Sequence, residues 1–282
     1  MSRLLVVVLA AIAAGLLVTG SGSPATFPHR IVSLSPTATE TLFAIGAGKQ
    51  VAAVDDQSDY PQRAPRTKLS GFTPNVEAVA GYHPDLVVLG FDPNGLSASL
   101  RRLGIRVLVQ DAAKTLDEAY AQMTELGRVT GHVAAARGLV ARMKKRIGEL
   151  VAESTRRARG LSVYHELEPD LYSATSKTFI GQIYRLFGLS NVADAADKDG
   201  TGYPKLSAEY VVSANPDVVV LADIRCCGQS LRTVAARPGW RNVSAVRTGT
   251  VVRIDDSIAS RWGPRVVNFV RAVAGALAHL RR

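Results

Sequence analysis

The sequence predicts an α/β protein of two similar parallel-sheet lobes joined by a single long α-helix, with a ligand cleft between the lobes. Three observations lead there. A unit at 75–90 recurs at 207–222 without a gap, with identities at Glu77/Glu209, Val79/Val211, Pro84/Pro216, Asp85/Asp217, Val87/Val219, Val88/Val220 and Leu89/Leu221. Short apolar runs alternate with helix-spaced segments in both halves of the chain, the pattern of parallel strands covered by crossover helices. Between the two copies, 115–159 contains neither a proline nor a β-rich run. Two copies are too few for a solenoid and suit two lobes that face each other.

In chain order, Ile31 to Leu34 is the first strand. Ser35-Pro36 then starts a helix, because serine satisfies orphan N–H groups at a helix start and proline suits the first helical position. Leu42, Phe43 and Ile45 belong to that helix, which stops at Gly46 and Gly48. Val51 to Val54 is a second strand, followed by a polar loop containing Asp59-Tyr60-Pro61, a short helix near 75–80 and a buried strand from Leu86 to Leu89. Another helix ends near Leu103, and Arg106 to Val109 is a further strand. Val133, Ala136, Val140, Met143, Ile147 and Leu150 share one helical stripe. With a break at Gly127 and Gly131, that last helix runs for about 25 residues, a strut of roughly 38 Å. Beyond it come a strand at 161–164, a helix at 177–187, strands at 218–221 and 251–254, and a C-terminal helix over 264–280. The lobes are accordingly expected over 28–130 and 160–282, with the linking helix over 131–158.

Residues 1–25 read as a secretory signal: Arg3, an apolar run from Leu4 to about Val18, then small and polar residues through Ala25. An uncleaved anchor is the alternative; both place the remainder outside the cytoplasm. No cysteine lies near this segment, so no lipoprotein anchor is expected. The net charge of +10 favours anionic partners, but much of the excess sits in Lys144, Lys145, Arg146, Arg156, Arg157 and Arg159, on one helix. Without a basic stripe interleaved with aromatics, this is a solvated helix face and no nucleic acid is expected to bind. The adjacent Cys226 and Cys227 cannot staple distant segments together; a vicinal disulfide and two free thiols both remain open.

The five histidines are scattered, and only His165 is placed to see a cleft, so no metal site is expected. Glu166, Glu168 and Asp170 read as exposed loop carboxylates, and nucleotide-binding, nucleophile-elbow and zincin motifs are absent, which argues against an enzyme and against a cofactor. What remains stands at the ends of strands, where open α/β folds bind ligands: Pro36, Gln57, Tyr60, Phe72, Phe91, Asp92, Tyr172, Tyr203, Arg261 and Trp262. Together they describe a broad, partly aromatic pocket with an arginine, suited to a bulky small molecule. Arg261 and Tyr203 are expected to matter for affinity and little for stability.

The stretch from Pro28 through Ser35-Pro36-Thr37-Ala38-Thr39-Glu40 resembles the opening of the periplasmic binding proteins of iron-siderophore, haem and cobalamin importers. Ser58-Asp59-Tyr60-Pro61, Pro74-Asn75-Val76-Glu77, Pro84-Asp85-Leu86-Val87 and Arg261-Trp262-Gly263-Pro264-Arg265 extend the likeness to nearly the whole chain beyond residue 28. The resemblance implies two lobes with little hinge motion, and a monomer that hands its ligand to an ABC transporter permease in the membrane. It is nearest to the cobalamin-binding members, through Ser58-Asp59-Tyr60-Pro61 and Gly71-Phe72, and implies corrin contacts at Pro36, Phe72, Tyr172, Tyr203 and Arg261. Gln57, Phe72, Gly90 and Tyr203 stand where such proteins often carry tryptophan or tyrosine. A ferric siderophore or haem is the alternative ligand, and a membrane-anchored sensor without transport is a further one. The resemblance also implies that Glu77 and Glu209 pair with arginines of the permease. If Asn75 and Ser207 cap their helices, both glutamates lie in first turns, where a negative charge is favoured in any case.

Overall fold

The computed structural model describes residues 27–280, so the signal segment expected at 1–25 lies outside the described residues. The first lobe contains β1 (Ile31–Leu34), α1 (Pro36–Ala44), β2 (Val51–Val54), α2 (Val76–Ala80), β3 (Leu86–Leu89), α3 (Leu96–Arg102) and β4 (Arg106–Val109). Then come α4 (Leu116–Thr130) and the long α5 (Val133–Ala158). The second lobe contains β5 (Ser162–Glu166), α6 (Phe179–Phe187), β6 (Ser190–Asn191), α7 (Ala208–Ala214), β7 (Val218–Leu221), α8 (Ile224–Cys227), α9 (Leu231–Ala235), α10 (Ser244–Thr248), β8 (Val251–Arg253), α11 (Asp256–Ala259) and α12 (Val266–His279). The strand orders are β2-β1-β3-β4 and β6-β5-β7-β8, all parallel, so the repeat seen in the sequence is one topology used twice.

The predicted helix starts form through the expected contacts. Ser35 accepts from the Ala38 N–H with Pro36 at the first helical position, and Asn75 and Ser207 accept from the Ala78 and Tyr210 N–H groups. Gly131 ends α4 at φ +81, a left-handed conformation that costs a side-chain-bearing residue energy. The central strands β3 (Leu86–Leu89) and β7 (Val218–Leu221) are apolar along their length because both sheet faces are covered. In β1 and β3, Ile31, Leu86 and Val88 face Leu42, Leu126 and Ala136, whereas Val32, Val87 and Leu89 face Val79, Leu96 and Leu100. In the second lobe, Val163, Val218 and Val220 pack with Met143, Ile147 and Phe269, and Tyr164, Val219 and Leu221 with Val234 and Trp240. α5 therefore enters both cores, Ala136 in the first and Met143 with Ile147 and Leu150 in the second.

Two expectations are corrected here. β6 was not anticipated, because Ser190 and Asn191 carry no apolar signal and pair only by position beside β5. β5 extends to Glu166, so His165 and Glu166 are fully buried strand residues; His165 does not see the cleft and Glu166 is no exposed loop carboxylate. Glu168 and Asp170 are exposed as expected.

Between α11 and α12 the chain reaches across to the first lobe. Arg265 donates from Nε to Glu40 Oε2 at 2.9 Å and from Nη2 to Glu40 Oε1 at 2.6 Å. Arg261 donates from Nη1 to Glu40 Oε1 at 3.1 Å and to Asp59 Oδ1 at 2.9 Å, and from Nη2 to the Gln57 carbonyl at 2.9 Å. The Glu40 side chain is 1% exposed and those of the two arginines 13% and 14%. Arg261 thus has a structural duty, contrary to the expectation that its loss would spare stability. We predict that Glu40→Ala lowers unfolding free energy by about 3–5 kcal/mol in urea titrations, because it strands the largely buried Arg265 guanidinium and takes one of two carboxylate partners from Arg261.

Candidate ligand-binding cleft

The carboxyl ends of the strands converge on the space between the lobes. β1 delivers Ser35 and Pro36, β2 delivers Asp55 and Gln57, and β3 delivers Gly90 and Phe91. With Phe72, Arg261 and Trp262 they enclose a chamber of about 400 Å³. A second chamber of about 510 Å³ is walled by Lys114, Lys177, Phe179 and Tyr203, and Ser260 and Trp262 line both. Trp262 is a partition held in place by its indole N–H, which donates to Gln122 Oε1 on α4 at 2.8 Å. Phe72 is 68% exposed and Phe91 40% exposed, with ring centroids 6.2 Å apart. An exposed aromatic pair beside a concavity is the mark of a surface that meets something else.

Of the residues expected from sequence, Pro36, Gln57, Phe72, Phe91, Arg261 and Trp262 line the first chamber and Tyr203 the second. Tyr60 and Tyr172 line neither. Arg265 lies 4.3 Å over the Tyr60 ring, and Lys205 lies 5.2 Å over that of Tyr172. Asp92 is occupied by α3, accepting from the Ser97 N–H and hydroxyl. Sequence reasoning missed Asp55, Gly71, Lys114, Lys177 and Ser260. Asp55 follows β2 directly, so the strand-end rule that selected Gln57 was the signal that could have found it; the lysines reach the chamber only through the tertiary arrangement.

A family model described as periplasmic binding protein matches residues 31–258. The chain belongs to the periplasmic binding protein family. A cobalamin-binding protein of Halobacterium salinarum is 35% identical over 259 residues, covering 88% of this chain and 69% of the relative. The ABC transporter substrate-binding lipoprotein YvrC of Bacillus subtilis, itself uncharacterised, is 30% identical, covering 89% and 80%. The periplasmic vitamin B12 binding protein BtuF of Vibrio cholerae has the same fold, with a TM-score of 0.74 at 24% identity, covering 89% of this chain and 97% of that one.

In this periplasmic binding protein Glu77 and Glu209 are exposed in the first turns of α2 and α7. Hydrogen bonds from its own backbone N–H and from Ser207 hold the Glu209 carboxyl below its usual range. Cys226 and Cys227 form a vicinal disulfide in α8, next to Arg225, which donates to Asp59 of the first lobe at 2.9 Å. Arg237 holds Glu166 in a two-pronged contact at 2.6 and 2.7 Å, and burial pushes the His165 imidazole down to about 3. Asp223 is also fully buried, and neither of its oxygens has a donor. Burial first, and the charge of Glu166 second, push Asp223 from 3.8 to about 7.

Between those two values the folded protein holds a proton that the unfolded chain has released. The Asp223 contribution to stability therefore falls as pH rises from about 4 to about 7 and stays flat above. We predict that Asp223→Asn gains on the unmodified protein by upwards of about 1 kcal/mol between about pH 5 and about pH 8, read from urea unfolding at each pH.

Proposed function

We propose that this protein captures a cobalamin-type corrinoid outside the cytoplasmic membrane and delivers it to an ABC importer. The observation that carries the reading is the double chamber partitioned by Trp262: its volume and aromatic walls suit a large, flat, multiply polar molecule rather than a bare ion. The relatives named for cobalamin and for an ABC transporter support it, as does the signal-like segment at 1–25. Haem or a ferric chelate is the second reading, favoured by Lys114 and Lys177 on the second chamber and by the net charge of +10.

Calorimetric titration of the purified protein with cyanocobalamin, against haemin, decides between the two ligands; saturable cyanocobalamin binding is expected, and binding of haemin alone would overturn the corrinoid assignment. Phe72→Ala and Tyr203→Ala should each weaken cyanocobalamin binding about tenfold, or about 1.4 kcal/mol, with little change in unfolding midpoint because both rings stand at the surface.

The delivery step is assigned to Glu77 and Glu209, one exposed acid on each lobe, facing basic groups of the permease. Charges at the rim of an interface chiefly set encounter rate and register. Glu77→Arg and Glu209→Arg are expected to abolish uptake in a reconstituted transporter while ligand affinity stays within about twofold. Normal uptake by the doubly reversed protein would refute the docking role.

A further inference from the structure

The second chamber is chemically one-sided. Lys114 and Lys177 stand on its wall with the hydroxyls of Thr201, Tyr203 and Ser260, and no aspartate or glutamate lines it. Lys177 is neutralised by Asp197 at 3.4 Å, and Asp197 also accepts from the Gly202 N–H at 3.2 Å. Lys114 is not: it is exposed, and among the described residues no carboxylate stands within ion-pair distance of its ammonium. Burial holds the Tyr203 phenol above its usual range, so its hydroxyl keeps the proton it can donate. The first chamber differs in kind. Its wall is mostly apolar and aromatic, and the cation on it, Arg261, is committed to Glu40, Asp59 and the Gln57 carbonyl.

The segment that carries Lys114 is fixed at both ends. The Lys114 N–H donates to Glu118 Oε2 at 2.7 Å, and the Asp111 carbonyl accepts from Gln122 Nε2 at 2.7 Å. The same Gln122 amide accepts the Trp262 indole N–H through Oε1 at 2.8 Å. One side chain therefore sets the lysine-bearing segment and the partition of the cleft together. The first residues of α6, Phe179 and Ile180, line the chamber opposite, behind the Thr178 cap on the Gly181 N–H. The positive end of that nine-residue helix adds to the field of the lysine.

We propose that the second chamber is the subsite for the phosphodiester-bearing tail of the corrinoid, with Lys114 the specificity-determining residue that pairs with the phosphate and Gln122 the residue that positions it. This rests on the corrinoid reading and sharpens it. A complete cobalamin joins a flat ring to a nucleotide tail that carries one negative charge on its phosphodiester. A phosphodiester only accepts hydrogen bonds, and the uncommitted side chains on this wall can all donate. Hydrogen bonds between ionised partners are also the strong ones. The ring then lies against Phe72 and Phe91 in the first chamber, and Trp262, which lines both chambers, stands where the tail leaves the ring. A haem propionate would suit the same ammonium, so the discriminating ligand is one that keeps the corrin ring and lacks the tail.

The test titrates cyanocobalamin and dicyanocobinamide, which lacks the phosphodiester, ribose and base, calorimetrically into the unmodified protein, Lys114→Met and Gln122→Met. The unmodified protein is expected to prefer cyanocobalamin by about tenfold or more. Lys114→Met, at an exposed position, should keep its unfolding midpoint, lose about fivefold or more for cyanocobalamin and change by less than about twofold for dicyanocobinamide. Gln122→Met keeps the length of the side chain and removes both of its hydrogen bonds. It should lower the same preference and shift the tryptophan emission, since Trp262 lies on the cleft while Trp240 is fully buried. Equal binding of the two corrinoids by the unmodified protein, or a Lys114→Met protein that loses neither or both alike, overturns the tail subsite and leaves the corrinoid reading standing. Unchanged emission and preference in Gln122→Met overturn the positioning role. Preference of the unmodified protein for haemin over cyanocobalamin overturns the subsite and the corrinoid reading together.

Discussion

Glu40 carries the constraint on which the geometry of the cleft depends. It sits in α1 of the first lobe, almost without exposure, and both of its oxygens are taken by guanidinium groups from the second lobe. A buried carboxylate is tolerable only when paired and hydrogen-bonded, so separating the lobes would strand three charges at once. Gly263, lying between the two arginines, lets the strap come close: a Cβ there would meet Glu40 Oε2 at 3.4 Å and the Thr37 carbonyl at 3.5 Å. The Arg225–Asp59 contact adds a second, more exposed tie at the rim.

The strap also shapes the ligand space. Arg261, Trp262 and Arg265 belong to one short segment, so the residues that hold the lobes together also place the partition of the cleft. Trp262 is tied to Gln122 of α4 and divides a chamber walled by Phe72, Phe91 and Arg261 from one walled by Lys114, Lys177 and Tyr203. A cleft preset at this width spends little of the binding energy on closure, which favours affinity through preorganisation. Half of the net positive charge is elsewhere, on the exposed face of α5, and does not line either chamber.

The second lobe carries a further buried polar cluster, Glu166 with Arg237 and Asp223, on the far side of β5 and β7 from His165 and Phe269. One arginine cannot satisfy two ionised carboxylates in a low-dielectric interior, and the second acid resolves the conflict by holding its proton. The lobe therefore keeps a titratable group near neutrality without exposing it to the cleft.

Local chemistry and periodicity were enough to derive the elements and their doubling. Serine and asparagine caps, Pro36, Gly131 and the unbroken stripe from Val133 to Leu150 act within a turn or two of chain, so each is legible residue by residue. The repeat at 75–90 and 207–222 made two lobes the natural reading, since similar units fold to similar topology. Of the residues chosen by strand-end position, Pro36, Gln57, Phe72, Phe91, Tyr203, Arg261 and Trp262 stand on the chamber walls. Tyr60 and Tyr172 stand outside both chambers, each with a cation over one face of its ring, and a slightly longer β5 draws His165 and Glu166 into the core. Those outcomes, like the pairing of Glu40 with Arg261 and Arg265 across more than two hundred residues of chain, depend on which surfaces meet after folding. The sequence by itself determined the lobes, their helix and the strand ends; only the tertiary structure decided which polar groups at those ends are buried and which neutralise one another, because burial and pairing are set by neighbours in space rather than along the chain.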